Sequence, residues 1–295
     1  MTVSRPLGKC LVTGASGFIG RRLLGKGNET GLDIVGWSRA DVDLCDPVAV
    51  RAKVTALAPD TVIHLAATPP ARFGDGWSDV AREVSMLSYL AAAMSDRSRL
   101  IVAGSMAEYG YSGTHAEHDL RIPNTAYGLA KMACSDHALA LAASGKDVVV
   151  ARLFGVYGAG ETSARLLPTV VDRLRRNLPV PLSDGEQIRD FVHIDDICAC
   201  LLEMGRLAVA PDVLNVGTGH GLSVRDACLR IADFLGADPA LLEFGAVERR
   251  RVDEDLLVAD TRLLQRRLGH VPPQRFFGNL DFIDDFSTTM SGAPS

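Results

Sequence analysis

Three glycines at a spacing of three residues, Gly14, Gly17 and Gly20, stand near the start of the chain in the run Val12-Thr-Gly-Ala-Ser-Gly-Phe-Ile-Gly20. A short apolar run, Cys10 to Val12, leads in, and a helix-like stretch, Arg21 to Gly25, leads out. A strand that breaks on a tight glycine turn straight into a helix is compatible with few architectures. Such a turn presents backbone N–H groups at a helix N-terminus, where free donors and the helix dipole attract a pyrophosphate. Glycine also makes ordinary turns, so the flanking strand and helix are what turn the spacing into the expectation of a bound dinucleotide.

The segments that follow keep the same rhythm. Strands are expected at Asp33–Trp37, Thr61–Leu65, Arg99–Ala103 and Asp147–Leu153, with helices at Val48–Ala58, Trp77–Met94 and Ala126–Ala143 between them. Apolar runs such as Thr61-Val-Ile-His-Leu65 suit strands buried on both faces. Repeated β-α-β units predict the α/β class, a Rossmann-like doubly wound parallel sheet. After Gly158 the rhythm breaks. Helices are expected at Pro168–Asn177, Asp195–Met204 and from Ser223 to about Gly236, with short strands at Asp190–Ile194 and Val213–Val216. The expected division is a dinucleotide-binding domain over 1–158, to which 189–218 returns, and a smaller mixed C-terminal substrate-binding lobe from 159–188 and 219–286. Residues 287–295 read as a flexible tail.

Bulk properties narrow the class. A chain of 295 residues with a formal net charge of −5 carries no basic face for nucleic acid. No apolar stretch approaches the roughly 18 residues of a membrane span, and Met1–Lys9 lacks an apolar signal core, so a cytoplasmic protein is expected. The six cysteines form no Cys-x-x-Cys pair, which suggests buried thiols in place of a metal site or disulfide frame.

The end of the second strand bears on which nicotinamide dinucleotide is held. An acidic residue there grips the ribose 2′-hydroxyl in NAD-binding folds. Here the strand ends Gly36-Trp37-Ser38-Arg39. Ser38 with Arg39 would welcome a 2′-phosphate that a carboxylate would repel, so NADP(H) is favoured, with NAD(H) possible; Arg39 as a solvated loop charge is the competing reading. Asp43-Leu44 falls where such folds wall off the adenine, in competition with a helix-capping role for Asp43 or Asp46.

Tyr127 and Lys131 stand at i and i+4, on one face of a helix. An ammonium about 4–6 Å from a phenol lowers its pKa by roughly 1–3 units, so that Tyr127 can pass a proton near neutral pH. Tyr-x-x-x-Lys arises by chance on many helices. It gains weight from Ser105, which follows the apolar strand and can hold the same oxygen.

Taken together these blocks resemble the extended short-chain dehydrogenase/reductase superfamily, in its nucleotide-sugar epimerase, dehydratase and reductase branch. The resemblance spans Thr13–Gly20, Val62–Ala67, Gly104–Gly110, Tyr127 with Lys131, Ala151–Gly158, Arg189–Asp196 and Leu214–Gly219. It implies catalytic roles for Ser105, Tyr127 and Lys131. It implies a cofactor site made of Gly14, Ser16, Gly17, Phe18, Ile19, Gly20, Ser38, Arg39, Asp43, Leu44, Leu65, Ala66, Ala67, Tyr127, Lys131 and Phe154. Substrate would meet Ser105, Met106, Tyr127, Arg189 and Arg250, the two arginines clamping a pyrophosphate through their bidentate forks; Arg189 beside Asp190 could instead form an ion pair. A homodimer is implied through the helices Trp77–Met94 and Ala126–Ala143, paired into a four-helix interface.

Departures from the branch narrow the reaction. Its dehydratases carry an Asp-Glu pair directly after the catalytic hydroxyl residue, and here Met106 and Ala107 stand there. Neither side chain moves a proton. The decarboxylases keep the Glu, and the dual epimerase/reductases place a Cys at 107. Gly155 stands where many relatives have an Asn on the substrate diphosphate. What the resemblance then implies is reduction of the C4 keto group of a nucleotide-linked 4-keto-6-deoxyhexose, as in CDP-abequose synthase and the 6-deoxy-talose-forming reductases. The alternatives are a nucleotide-sugar 4-epimerase holding NAD and a non-catalytic dinucleotide-sensing module. The segment Thr68–Ser78 is the expected substrate lid.

Overall fold

The computed structural model describes residues 4–69, 73, 77–161, 165–277 and 283. The expected tail and parts of the expected lid lie outside them. In chain order the first half gives β1 (Cys10–Thr13), α1 (Phe18–Thr30), β2 (Ile34–Trp37), α2 (Pro47–Leu57), β3 (Thr61–His64), α3 (Trp77–Ala93), β4 (Arg99–Ser105), β5 (Gly113–His115), α4 (Ala126–Ala143), β6 (Val148–Leu153) and β7 (Gly155–Tyr157). The second half gives α5 (Leu166–Arg175), β8 (Val180–Leu182), β9 (Ile188–Arg189), β10 (Phe191–His193), α6 (Ile194–Arg206), β11 (Val213–Val216), β12 (Leu222–Ser223), α7 (Val224–Leu235), β13 (Leu242–Phe244), β14 (Leu256–Ala259) and α8 (Arg262–Leu268).

Six strands form one parallel sheet in the order β11-β6-β4-β3-β1-β2. The chain reaches β2 on one side of β1 and then crosses back to β3 on the other. That reversal opens a crevice at the carboxyl ends of β1 and β3, where ligands bind in open α/β sheets. Alternate residues of β1 enter different cores: Cys10 and Val12 join the cluster shared with α6, and Leu11 joins the one shared with α2 and α3. Period-two alternation on a sheet covered on both faces explains the continuous apolar runs. A third cluster, including Leu167, Val171, Ala227 and Ile231, makes the core of the C-terminal lobe.

Local chemistry sets the element ends. Asp46 caps α2 by accepting the Val48 and Ala49 N–H groups at 2.9 and 3.1 Å, and Ser223 caps α7 through Asp226 N–H at 2.9 Å. The first helix starts at Phe18, three residues before the expected Arg21, because the glycine turn itself supplies its first turn. The lobe also draws on the first half of the chain. β5 pairs with β14, which pairs with β9, in a mixed four-stranded sheet. Among the described residues no helix is long and apolar enough to cross a membrane.

Candidate active site

The glycine turn is built for a close ligand. Gly14 adopts a φ of +70°, and a Cβ there would lie 2.7 Å from the Ala66 backbone nitrogen. Only glycine allows both the left-handed backbone and that approach. Gly17 is the N-cap of α1, no side chain caps the helix, and no acidic residue lies in its first turn. Its orphan N–H groups are therefore left for an anion. Ser16 lends its carbonyl to the Arg21 guanidinium, which also donates to the Gly160 carbonyl at 3.1 Å. The residues present thus fit a dinucleotide: the turn of Gly14, Gly17, Phe18, Ile19 and Gly20 would hold its pyrophosphate, and Leu65, Ala66 and Ala67 directly follow β3.

Beside Ala66, Thr13 Oγ1 meets His64 Nδ1 at 2.8 Å, both side chains being buried. Burial and then the nearby Lys131 charge push the His64 imidazole down to about 3, so it is neutral at any physiological pH. Lys131 itself is buried and donates to the Ala103 carbonyl of β4 at 2.9 Å. Its ammonium stands 5.9 Å from the centroid of the Tyr127 ring. The expected pairing on one helix face is therefore present. The Tyr127 ring also meets Phe73 edge to face, with centroids 5.9 Å apart.

Gly128, with no side chain, lets the first turn of α4 approach the segment that follows Ser105. A Cβ at Gly128 would collide with the Ala107 carbonyl oxygen, so α4 packs directly on the turn that follows Ser105. That turn is a short 3-10 helix over Met106–Glu108, capped by Ser105. Ser105 Oγ accepts the Ala107 N–H at 3.2 Å and Glu108 accepts the Ser105 N–H at 2.9 Å. Glu108 is fully buried and also accepts from Ser135 Oγ and Arg152 Nε, each at 2.9 Å. Arg152 in turn donates to Tyr109 Oη at 3.2 Å and the Glu117 carbonyl. Sequence reasoning missed this support. The signal was the capping-box spacing Ser105-x-x-Glu108.

Several expected ligand contacts look different in three dimensions. Arg189 does not pair with Asp190. It donates to the Glu254 carbonyl at 2.8 Å and stands 3.8 and 3.9 Å from the Asp253 and Glu254 carboxylates. Asp190 is fully buried and spends its oxygens on Thr218, Gly219 and Ala259 N–H groups and the Thr218 hydroxyl. Arg250 is exposed, whereas its neighbour Arg249 packs close enough to Arg189 to oppose its charge. Phe154 is 1% exposed, its ring in the core beside Tyr109, so the expected cofactor contact is not presented at the surface. Asp43 accepts the Cys45 N–H at 3.0 Å, and Ser38 is bound to Asp41. Leu44 is buried and Arg39 exposed. Glu161 was not anticipated. Its side chain is 7% exposed, and burial raises its carboxyl to about 7 against the opposing pull of Arg165.

Known proteins place this arrangement. CDP-abequose synthase of Salmonella typhimurium is 26% identical over 86% of this chain and 90% of its own length. A dTDP-6-deoxy-L-talose 4-dehydrogenase (NAD(P)(+)) of Kitasatospora kifunensis is 27% identical over 96% of each. The solved structure of MoeE5 in complex with UDP-glucuronic acid and NAD superposes with a TM-score of 0.80 at 28% identity, covering 96% of this chain and 100% of that one. The model of the NAD dependent epimerase/dehydratase family matches residues 10–217, and the chain belongs to that family of enzymes acting on nucleotide sugars.

Proposed function

We propose that the enzyme reduces the C4 keto group of a nucleotide-linked 4-keto-6-deoxyhexose. One observation carries the reading. The turn after Ser105 offers a substrate Met106 and Ala107, and its first carboxylate, Glu108, is sealed by Arg152, Ser135 and the Ser105 backbone. Dehydration needs a group that moves protons at neighbouring sugar carbons, and this turn supplies none. Hydride transfer at a single carbon needs only the set that is present. The names of two relatives, an abequose synthase and a 4-dehydrogenase, support the same chemistry.

The nicotinamide dinucleotide, when bound, supplies the hydride. Ser105 Oγ holds the substrate carbonyl, giving part of an oxyanion-type interaction. Tyr127 gives its proton to the emerging alkoxide, and the Lys131 ammonium favours the phenolate left behind. Met106 lines the sugar, and Arg189 with Arg249 or Arg250 faces its diphosphate. A homodimer through α3 and α4 is part of the proposal. Ala81, Ala92 and Ala140 are exposed there, with Val84, Leu129, Met132 and Ala133 half-buried, and light scattering of the purified protein tests it.

The reaction is tested by offering dTDP-, CDP- and GDP-linked 4-keto-6-deoxyhexoses with NADH or NADPH and following absorbance of the reduced nicotinamide. Stoichiometric oxidation with one carrier is the expected result. No oxidation with any of them, together with NAD released when the protein is denatured, would establish a 4-epimerase in its place.

A further inference from the structure

We infer that Asp41 is the residue that reads the adenosine ribose, and that it gives this enzyme a preference for NAD(H) over NADP(H). The inference rests on the dinucleotide reading of the glycine turn and is independent of the sugar.

The position is fixed by the fold. Ser38 directly follows β2, whose last residue, Trp37, accepts the Ala15 N–H of the glycine turn at 3.0 Å. This end of the second strand is where the adenosine ribose of a dinucleotide lies in such sheets. A 2′-phosphate there needs donors, and Ser38 has two, its N–H and its hydroxyl. Both are spent on one acceptor, Asp41 Oδ2, at 2.8 and 2.7 Å. The Ser38 hydroxyl also accepts the Ala40 N–H at 3.3 Å. The Asp41 and Val42 N–H groups turn back onto the Ser38 carbonyl at 3.1 and 3.3 Å. The turn is closed on itself, with a carboxylate where a phosphate would have to go.

The charge on that carboxylate is secure. The two bonds from Ser38 hold Asp41 below the ordinary carboxylate range, and Lys53 adds a weaker pull. With Oδ2 holding both Ser38 donors, Oδ1 is left to accept a ribose 2′-hydroxyl. A 2′-phosphate brings up to two negative charges to the same place and is repelled. Arg39 is exposed and takes no part in the turn. Ser38 and Arg39 welcome a phosphate only while Asp41 is left out, and its position three residues on hides it from a reading of the strand end alone.

The test is an equilibrium titration of the purified protein with NADH and with NADPH, without sugar nucleotide, followed by nicotinamide fluorescence. NADH is expected to bind roughly tenfold or more tighter, equivalent to about 1.4 kcal/mol. Asp41→Asn keeps acceptor shape and removes the charge; it should bring the two dissociation constants within about threefold of each other by strengthening NADPH, where repulsion was the obstacle. Arg39→Ala should leave NADH binding unchanged. Tighter NADPH binding in the wild type overturns the inference, and its loss in Arg39→Ala would assign the 2′-phosphate to Arg39 instead. Equal weakening of both dinucleotides in Asp41→Asn also overturns it, since Asp41 would then only hold the turn. A sugar that fails to react leaves the titration standing, and failure of both dinucleotides to bind overturns the dinucleotide reading itself.

Discussion

The two sides of the crevice differ in how completely their buried polar groups are matched. On the dinucleotide side, buried groups are matched to one another: Glu108 with Arg152 and Ser135, Tyr109 with Asn215, Thr13 with His64, and Asn215 with Glu117 through its backbone. Past Gly158, among the described residues, the buried atoms Glu161 Oε2, Gln187 Oε1 and Arg249 Nε have no hydrogen-bond partner. An unpaired buried polar atom costs about 1–3 kcal/mol, so a fold keeps such atoms only where something offsets them. One side is finished by folding, around the turn that follows Ser105. The other keeps hydrogen-bonding capacity in reserve, on the side where the family resemblance puts the substrate.

The sharpest way to break this comparison is to take one group from the finished side. Tyr127→Phe removes a proton and little else, so kcat should fall about 10²–10⁴-fold while dinucleotide affinity stays. Near-full activity would remove Tyr127 from the chemistry. Glu108→Ala touches no substrate, yet it strands Arg152 in the core. Breaking a buried pair in this way costs about 3–5 kcal/mol, read as a lowered urea midpoint with unchanged m-value. Arg249→Met deletes a group that folding has left partly unpaired, and its effect on stability should stay below about 1 kcal/mol while KM for the sugar nucleotide rises. If Arg249→Met proves as destabilising as Glu108→Ala, the contrast between the two sides is wrong.

How far the sequence carried this picture follows the same division. The glycine turn, the helix starts at Asp46 and Ser223, the apolar runs of the buried strands and the Tyr127–Lys131 spacing were all legible, because each depends on residues close together in the chain. Glu108 was half legible: Ser105-x-x-Glu108 announces a capping box, but nothing local reveals Arg152, which stands 44 residues on. Asp190 looked like a partner for its neighbour Arg189, yet consecutive residues of extended chain point to opposite sides, and it turns to backbone N–H groups of residues 218, 219 and 259. Arg249 and Arg250 are indistinguishable as letters; only the path of the chain between β13 and β14 decides which one faces Arg189. The pairing of β5 with β14 joins residues far apart in the chain, a contact that no periodicity encodes.

A last prediction separates the two sides by pH. His64 titrates at about 3 in the folded protein against 6.5 when free. The unfolded chain therefore binds the extra proton first, and stability is lost as pH falls from about 6.5 towards 3. Glu161 has the opposite sign. Its folded value of about 7 lies above the free value of 4.5, so the unfolded chain ionises first and stability is lost as pH rises from about 4.5 through 7. Each contributes a slope of at most about 1.4 kcal/mol per pH unit, and between pH 4.5 and 6.5 the two oppose each other. Glu161→Gln removes one arm: urea unfolding at pH 5, 6, 7 and 8 should show the variant gaining on the wild type up to about pH 7 and levelling off beyond. A gap that stays constant across that range would mean that Glu161 is already ionised and satisfied, and that this buried carboxyl is held by folding after all.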